Sequence, residues 1–224
     1  VAVGADIGLA FDGDADRCFV IDADGNAVSP SAVTALVATR ELAKHPGATI
    51  IHNLITSHAV PEIVREHGGV PERSRVGHSF IKADMASTGA VFGGEHSAHY
   101  YFRDFWRADT GMLAALHVLA ALGEQPRPLA DLTGQYQRYA GSGEINSTVD
   151  DPAGRVGAVR EAFAARTSAV DELDGLTIEL DDGSWFNVRS SNTEPLLRLN
   201  VEAASDATMR AVRDEVLAII RSGR

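Results

Sequence analysis

The sequence predicts an α/β protein: a mixed, mostly parallel α/β domain followed by a small α+β domain, an antiparallel sheet with two helices on one face. Three observations carry this expectation. Apolar runs alternate with helical stretches as far as residue 140, which is the pattern of strands crossing over through helices to a parallel sheet. Beyond residue 141 strands follow one another through tight turns, with only two amphipathic helices among them. Between the two patterns, Pro, Gly and Ser become frequent around residues 126–143. At 224 residues and 45% hydrophobic content the chain can bury real cores.

Each element has its own signal. Ile7–Phe11 and Cys18–Ile21 are apolar runs of strand length, and Asp22-Ala23-Asp24-Gly25-Asn26 reads as a hairpin-type turn. Ser29 and Pro30 read as the N-cap and first position of a helix reaching Lys44, where His45-Pro46-Gly47 stops it. Thr49–Ile55 reads as a buried strand, Pro61 as the opening of a helix that Gly68-Gly69 ends, and the following residues as a short connection. A helix over Phe80–Ser87, a strand over Ala90–Phe92, an amphipathic helix over Asp109–Leu122 and a helix over Leu129–Tyr139 complete the first domain. The second reads strand (Ile145–Val149), helix (Pro152–Arg166), strand (Leu176–Leu180), an Asp-Asp-Gly turn, strand (Trp185–Val188), polar loop, strand (Leu196–Ala203), helix (Asp206–Arg221).

Composition narrows the function classes. A formal net charge of −11 argues against a general binder of nucleic acid or of anionic membrane, so any anionic ligand must be met locally. No apolar stretch approaches the ~20 residues that span a bilayer. One cysteine, Cys18, cannot form an internal disulfide and reads as an inert packed thiol. The expected location is cytoplasmic, which makes Asn146-Ser147-Thr148 a chance glycosylation match. The chain starts without Met and runs within a few residues into an apolar strand, as expected of a piece of something longer.

The most informative segment is FDGDADR. If it is extended, Asp12, Asp14 and Asp16 point the same way and their carboxylates converge, which calls for a cation among them. Hard divalent cations such as magnesium take oxygen ligands and keep positions open for a phosphate. A calcium loop is excluded, because Arg17 and Ala23 stand where Gly and a bidentate Glu are needed. A solvated acidic turn is the plainer alternative, and the flanking apolar strands count against it. A second segment, RSSNTEPLLR (189–198), crowds Arg189, Ser190, Ser191, Asn192 and Thr193 between two strands, as a phosphate cradle or as an ordinary turn. A third, FGGEHSAHYYFRDFWRADTG, offers Glu95 and Ser97 to a hydroxyl-rich ligand ahead of a run of aromatics; alternatively the aromatics are core and Glu95 is a surface charge. His96 and His99 with Glu95 lack a fourth metal ligand at a recognisable spacing. His78, with Lys82 four residues on, is by itself more in keeping with a structural histidine.

In this order the three segments resemble the α-D-phosphohexomutase superfamily, with bacterial phosphomannomutase/phosphoglucomutase the nearest likeness, over essentially the whole chain. The resemblance implies that Asp12, Asp14 and Asp16 hold magnesium, with Arg17 beside the transferring phosphate. It implies a sugar-binding role for Glu95, Ser97 and His99 and a phosphate-binding role for Arg189, Ser191, Asn192 and Thr193. A family segment GH…IK matches Gly77-His78 and Ile81-Lys82, which places His78 near the reacting sugar. The activity implied is interconversion of hexose 6-phosphate and hexose 1-phosphate, of mannose or glucose or both, through an enzyme phosphoserine and a hexose 1,6-bisphosphate intermediate. Two residues depart from the family pattern: Ala98 stands where many members have Gly, a mild change if its φ is ordinary, and His58 stands where Arg often follows Ser.

The phosphoserine loop, of the type T-A-S-H-N-P, does not occur here, and none of Ser29, Ser31, Ser57, Ser79 or Ser87 has that context. The resemblance therefore implies the end of domain 2 (residues 1–28), domain 3 (29–140) and domain 4 (141–224), with missing N-terminal domains as partners and no activity of this chain alone. A non-catalytic phosphosugar-binding module is the alternative. A TASHNP-like loop in a continuous upstream reading frame favours the mutase, and a true start codon at Val1 favours the module.

Overall fold

A computed structural model of the chain describes residues 1–191 and 194–222; Asn192 and Thr193, two of the expected phosphate ligands, lie outside the described residues. The chain divides into two compact units, Val1–Arg138 and Tyr139–Arg224.

The first unit opens with an antiparallel hairpin, β1 (Ile7–Phe11) and β2 (Cys18–Asp22), with Phe11 opposite Cys18. Helix α1 (Pro30–Lys44) starts on Pro30 as its sequence requires, although Ser29 makes no side-chain cap bond. Then come β3 (Thr49–Asn53), α2 (Ala59–Glu66), β4 (Val70–Ser74), α3 (His78–Thr88), β5 (Phe92–Gly94), β6 (Tyr100–Phe102), β7 (Ala108–Asp109), α4 (Gly111–Gly123) and α5 (Leu129–Gly134). The sheet order is β4-β3-β5-β6-β7. β3 pairs in parallel with β4 and β5, while β6 runs antiparallel to both β5 and β7, so β6 is the strand that runs against the rest.

Helices approach this sheet closely enough to dictate glycine. A Cβ on Gly93 would meet Ile81 and Met85 of α3, and one on Gly94 would collide with Thr34 of α1. Successive strand residues face opposite ways, so α3 covers one face and α1 the other. Ile51, Ile81, Met85, Ala90 and Tyr101 form the α3-side core.

Several boundaries differ from expectation. Residues 70–74 are a strand, α2 begins two residues before Pro61, and the strand expected over 90–92 lies at Phe92–Gly94. Asp109 belongs to β7, because Thr110 accepts from the Leu113 N–H and so caps α4. Helix α5 stops at Gly134 rather than Tyr139. The outward side of α4 is apolar, with Met112, Leu116 and Leu119 exposed, so the expected polar face is missing.

The second unit comprises β8 (Ala140–Gly141), β9 (Ile145–Thr148), α6 (Pro152–Phe163) with a 3₁₀ turn at Ala164–Arg166, β10 (Thr167–Asp171), β11 (Leu176–Leu180), β12 (Trp185–Ser190), β13 (Leu196–Ala203) and α7 (Asp206–Arg221). The antiparallel sheet runs β10-β11-β12-β13, and both β8 and β9 pair with β13. Val159 and Phe163 of α6 and Met209, Val212, Val216 and Ile220 of α7 share one core with alternate sheet residues, which puts both helices on one face. Asp151 and Ser205 cap the two helices.

Candidate functional site

The FDGDADR segment converges its carboxylates by a turn, not by strand alternation. Residues 12–16 are not extended: the Ala15 N–H donates to the Asp12 carbonyl, and Ala15 sits at φ +60°. One carboxylate oxygen from each of Asp12, Asp14 and Asp16 nevertheless lies within 4.8 Å of the others. Arg17 folds back on the loop, its Nε 2.6 Å from Asp12 Oδ2 and its backbone N–H on Oδ1. That pairing holds the Asp12 carboxyl at about 2. Asp16 is pushed the other way by desolvation and by the neighbouring Asp12 and Asp14 charges, against the pull of His99. Asp16 Oδ1 is buried with no hydrogen-bond partner among the described residues, while His99 Nε2 lies 3.7 Å away. An orphaned oxygen beside two further carboxylates is a donor set that fits a hard divalent cation.

The Glu95–His99 turn is joined to this loop. Arg17 and His99 form an antiparallel bridge, the Cys18 N–H donates to the Ala98 carbonyl, and the Gly111 N–H at the start of α4 donates to the Ala15 carbonyl. Residues 12–17, 95–99 and the α4 N-terminus thus form one assembly. Within it Ser97 Oγ lies 2.9 Å from His99 Nδ1. Cys18 behind the loop is 1% exposed, and burial pushes its thiol up to about 11, in keeping with an inert role.

Glu95 is not the surface charge of the alternative reading; it is 2% exposed. Its Oε2 accepts from Asn53 Nδ2 at the end of β3 and from the Gly77 N–H, each at 3.1 Å, and its Oε1 accepts from the Tyr101 hydroxyl at 2.6 Å. Burial and the Glu95 charge raise the Tyr101 hydroxyl, keeping it a donor. Three donors leave about one of the roughly four lone-pair positions of a carboxylate for a further hydroxyl. Gly77 adopts φ +129° to turn into α3, whose first residue, exposed His78, is thereby carried next to the Glu95 turn. Lys82 does not face outward to an anion; its Nζ lies 2.9 Å from Asp109 Oδ1. Asp16, His99 and Asp109 also cluster, and with Lys82 on Asp109 they read as an ion-pair network.

Ala98 has φ +66°, so the condition under which it was a mild departure does not hold. A left-handed non-Gly residue costs ~1–2 kcal/mol, but the Ala98 methyl is fully buried and contributes ~1 kcal/mol, and Gly would be the more flexible in the unfolded chain. These terms offset. Ala98→Gly is expected to move unfolding free energy by less than about 1 kcal/mol, whereas a β-branched Ala98→Val destabilises by roughly 2–4 kcal/mol, as urea titration of each variant would show.

In the second unit Arg189 ends β12 and Ser191 follows it, with the Ser191 N–H donating to the Leu196 carbonyl to close the turn. The sequence reading missed Arg198 and Glu144 here, and Asn53, Tyr101 and Asp109 in the first unit. Arg198 had a signal, since it closes the RSSNTEPLLR segment. The others are brought in from distant positions by the sheets.

Comparison with known proteins bears on the family and the fold. Residues 29–139 match the family model described as phosphoglucomutase/phosphomannomutase, alpha/beta/alpha domain III, and residues 144–219 match the model of the phosphoglucomutase/phosphomannomutase C-terminal domain. The chain is 42% identical over 222 residues to a protein of Xanthomonas campestris pv. campestris named phosphohexose mutases, covering 98% of this chain and 49% of the relative. It is 41% identical over 216 residues to the phosphomannomutase of Escherichia coli K12, covering 96% and 47%. A crystal structure of a phosphoglucomutase/phosphomannomutase family protein from Burkholderia thailandensis superposes with a TM-score of 0.84 at 34% identity, covering 99% of this chain and 48% of the other. The chain thus spans about half the length of the relatives it matches. With two successive domain models matched in order, the chain belongs to the α-D-phosphohexomutase superfamily and corresponds to the C-terminal portion of its members.

Proposed function

We propose that this chain is the C-terminal half of a hexose-phosphate mutase, interconverting hexose 6-phosphate and hexose 1-phosphate of mannose, glucose or both. The observation that carries the reading is the joining of the Asp12–Arg17 loop to the Glu95–His99 turn through the Arg17–His99 bridge and the α4 N-terminus. Asp12, Asp14 and Asp16 would hold magnesium, which supplies charge compensation at the transferring phosphoryl group. Arg17, which Asp12 orients, would contact that phosphate. Glu95, fixed by its three donors, has one position for a sugar hydroxyl, with Ser97 and His99 beside it. Glucose and mannose differ only at carbon 2, so a site reading other hydroxyls accepts both. Arg189 and Ser191, with Asn192 and Thr193, would take the non-reacting phosphate. The phosphoserine and the fourth metal ligand would come from N-terminal domains, so the chain alone turns over nothing and holds its metal weakly.

The test uses this chain directly. Titration with mannose 6-phosphate, followed by amide shifts, is expected to give saturable binding that Arg189→Ala weakens at least tenfold, the loss of charge-assisted hydrogen bonds. Manganese should broaden the amide signals of residues 12–17 in wild type and not in Asp14→Asn. Unchanged affinity in Arg189→Ala, or mutase turnover by the purified chain, would overturn the reading.

A further inference from the structure

Three strands bring Asp109 beneath α3. β7 is two residues long, and its register on β6 sets Asp109 directly opposite Tyr101, while the register of β5 sets Gly93 opposite Tyr101 from the other side. Cross-strand partners share a face, and Gly93 marks this one as the face that α3 covers. The carboxylate therefore meets the helix at Lys82, one turn beyond His78, and Lys82 Nζ lies 2.9 Å from Asp109 Oδ1. The backbone that follows Asp109 is pinned as well: the Thr110 N–H donates to the Tyr100 carbonyl and the Gly111 N–H to the Ala15 carbonyl.

This pair differs from an exposed ion pair, which contributes little. The Asp109 side chain is 10% exposed, and one of its carboxylate oxygens lies within 4.8 Å of a carboxylate oxygen of Asp16 and a ring nitrogen of His99. The ammonium is thus held at the edge of the assembly that joins the Asp12–Arg17 loop to the Glu95–His99 turn. It lies 5.9 Å from the centre of the Tyr101 ring, whose hydroxyl donates to Glu95. A lysine stem is long and flexible, so an ammonium kept at one place needs an anchor. An ammonium has three donors; Asp109 can take one, and Lys82 has no other acceptor among the described residues. With its side chain 40% exposed, Lys82 is open to an incoming group.

We infer that Asp109 is a positioning residue for the reacting end: it anchors the Lys82 ammonium there, with donors left over for an oxygen of a phosphate ester held at the Asp12–Arg17 loop. This rests on the reading of that loop as the place of phosphoryl transfer. The carboxylates of Asp12, Asp14, Asp16, Glu95 and Asp109 crowd a place that has to admit a phosphate dianion. A divalent cation offsets part of that charge, and a fixed ammonium facing the phosphate from the α3 side offsets more. Asp109 acts through Lys82, without touching the ligand.

The experiment is a titration of this chain with inorganic phosphate in magnesium buffer at low ionic strength, followed by the amide shifts of residues 12–17 and 78–82. Saturable shifts are expected there, with binding weakened about fivefold or more by Lys82→Met, which keeps the stem and removes the charge. Asp109→Asn is expected to weaken binding about as much. Charge alone predicts the opposite, since removing a carboxylate near an anion tightens its binding, so the sign separates anchoring from the general field. The double variant should bind no more weakly than Lys82→Met, because Asp109 acts through the ammonium. Manganese broadening of residues 12–17 should persist in both single variants, which a disordered loop would lose. Binding unchanged or tightened in Asp109→Asn, an additive loss in the double variant, or loss of the broadening would overturn the inference. Phosphate shifts absent from residues 12–17 and 78–82 in wild type would overturn it as well. In each of those cases the mutase reading stands or falls separately, on the mannose 6-phosphate titration of Arg189→Ala.

Discussion

Gly111→Ala is expected to destabilise the first unit by about 2–4 kcal/mol and to disorganise the Asp12–Arg17 loop, despite placing the best helix former at the first position of a helix. A Cβ built on Gly111 lies 2.5 Å from the Arg17 carbonyl oxygen, 2.6 Å from its carbon and 3.0 Å from the Cys18 nitrogen. All three are backbone atoms of the strand that leaves the acidic loop, so no side-chain rotation relieves the contact. Either α4 moves away from the loop or β2 moves away from α4. Both movements break the Gly111 N–H bond to the Ala15 carbonyl and loosen the hold on Asp16 beside His99. Gly123, at the other end of the same helix, is the control: a Cβ there meets nothing within 4 Å. Gly123→Ala should therefore be neutral or stabilising by up to about 1 kcal/mol, the ordinary helix-propensity gain. Urea unfolding of both variants, with manganese broadening of residues 12–17 as a second readout, checks the pair. Equal stabilities for the two would show that the close approach of helix and loop is not tight.

The site was legible in the sequence in part, and the pattern of success has a physical basis. Helix α7 was read at Asp206–Arg221 because a long amphipathic repeat is a local signal, and β11 and β13 because their alternation is enforced by a core on one face. Strands β4, β6, β7, β8 and β10 were missed; β4, β7 and β10 lie at sheet edges, while β6 is a three-residue buried strand inside its sheet. The edge strand VPERS contains Pro71 and exposes Val70 and Glu72, so burial never imposes the apolar pattern that betrays a central strand. The acidic loop was found for an incomplete reason. Alternation along an extended segment would converge the three aspartates, but a turn at Ala15 does so instead. The convergence was legible and the backbone producing it was not, because an alanine at positive φ gives no compositional sign of a turn. Asn53, Tyr101 and Asp109 escaped for another reason: each acts on a residue far along the chain, through a sheet register that a single sequence does not reveal.

Glu95→Ala is expected to cost the first unit about 3–5 kcal/mol, more than a surface glutamate could, and this bears on how its binding role is to be measured. Removing the carboxylate leaves Asn53 Nδ2, the Gly77 N–H and the Tyr101 hydroxyl without an acceptor in a buried place. Each such donor costs ~1–3 kcal/mol, and the three together exceed the gain from no longer desolvating the charge, since these same donors had already compensated it. Tyr101→Phe removes one donor and leaves Glu95 two, so its expected cost is smaller, about 1–2 kcal/mol. Amide exchange at Ile50 and Ile51 in β3, next to Asn53, reports the loss in both variants. A Glu95→Ala unfolding free energy within 1 kcal/mol of wild type would show that the carboxylate is not the anchor that its three bonds make it. The consequence reaches the sugar site. Loss of hexose-phosphate binding in Glu95→Ala is expected whether the residue touches the sugar or only holds Gly77 and Tyr101 in place, so that variant does not separate the two roles. Tyr101→Phe does separate them: it keeps the carboxylate, frees a second lone pair on Oε1 and keeps Gly77 anchored. If Glu95 accepts from a sugar hydroxyl, affinity for mannose 6-phosphate survives this change within about threefold while stability falls. A collapse of affinity in step with stability would make Glu95 a buried support of the turn, and leave Ser97 and His99 as its hydroxyl-reading groups.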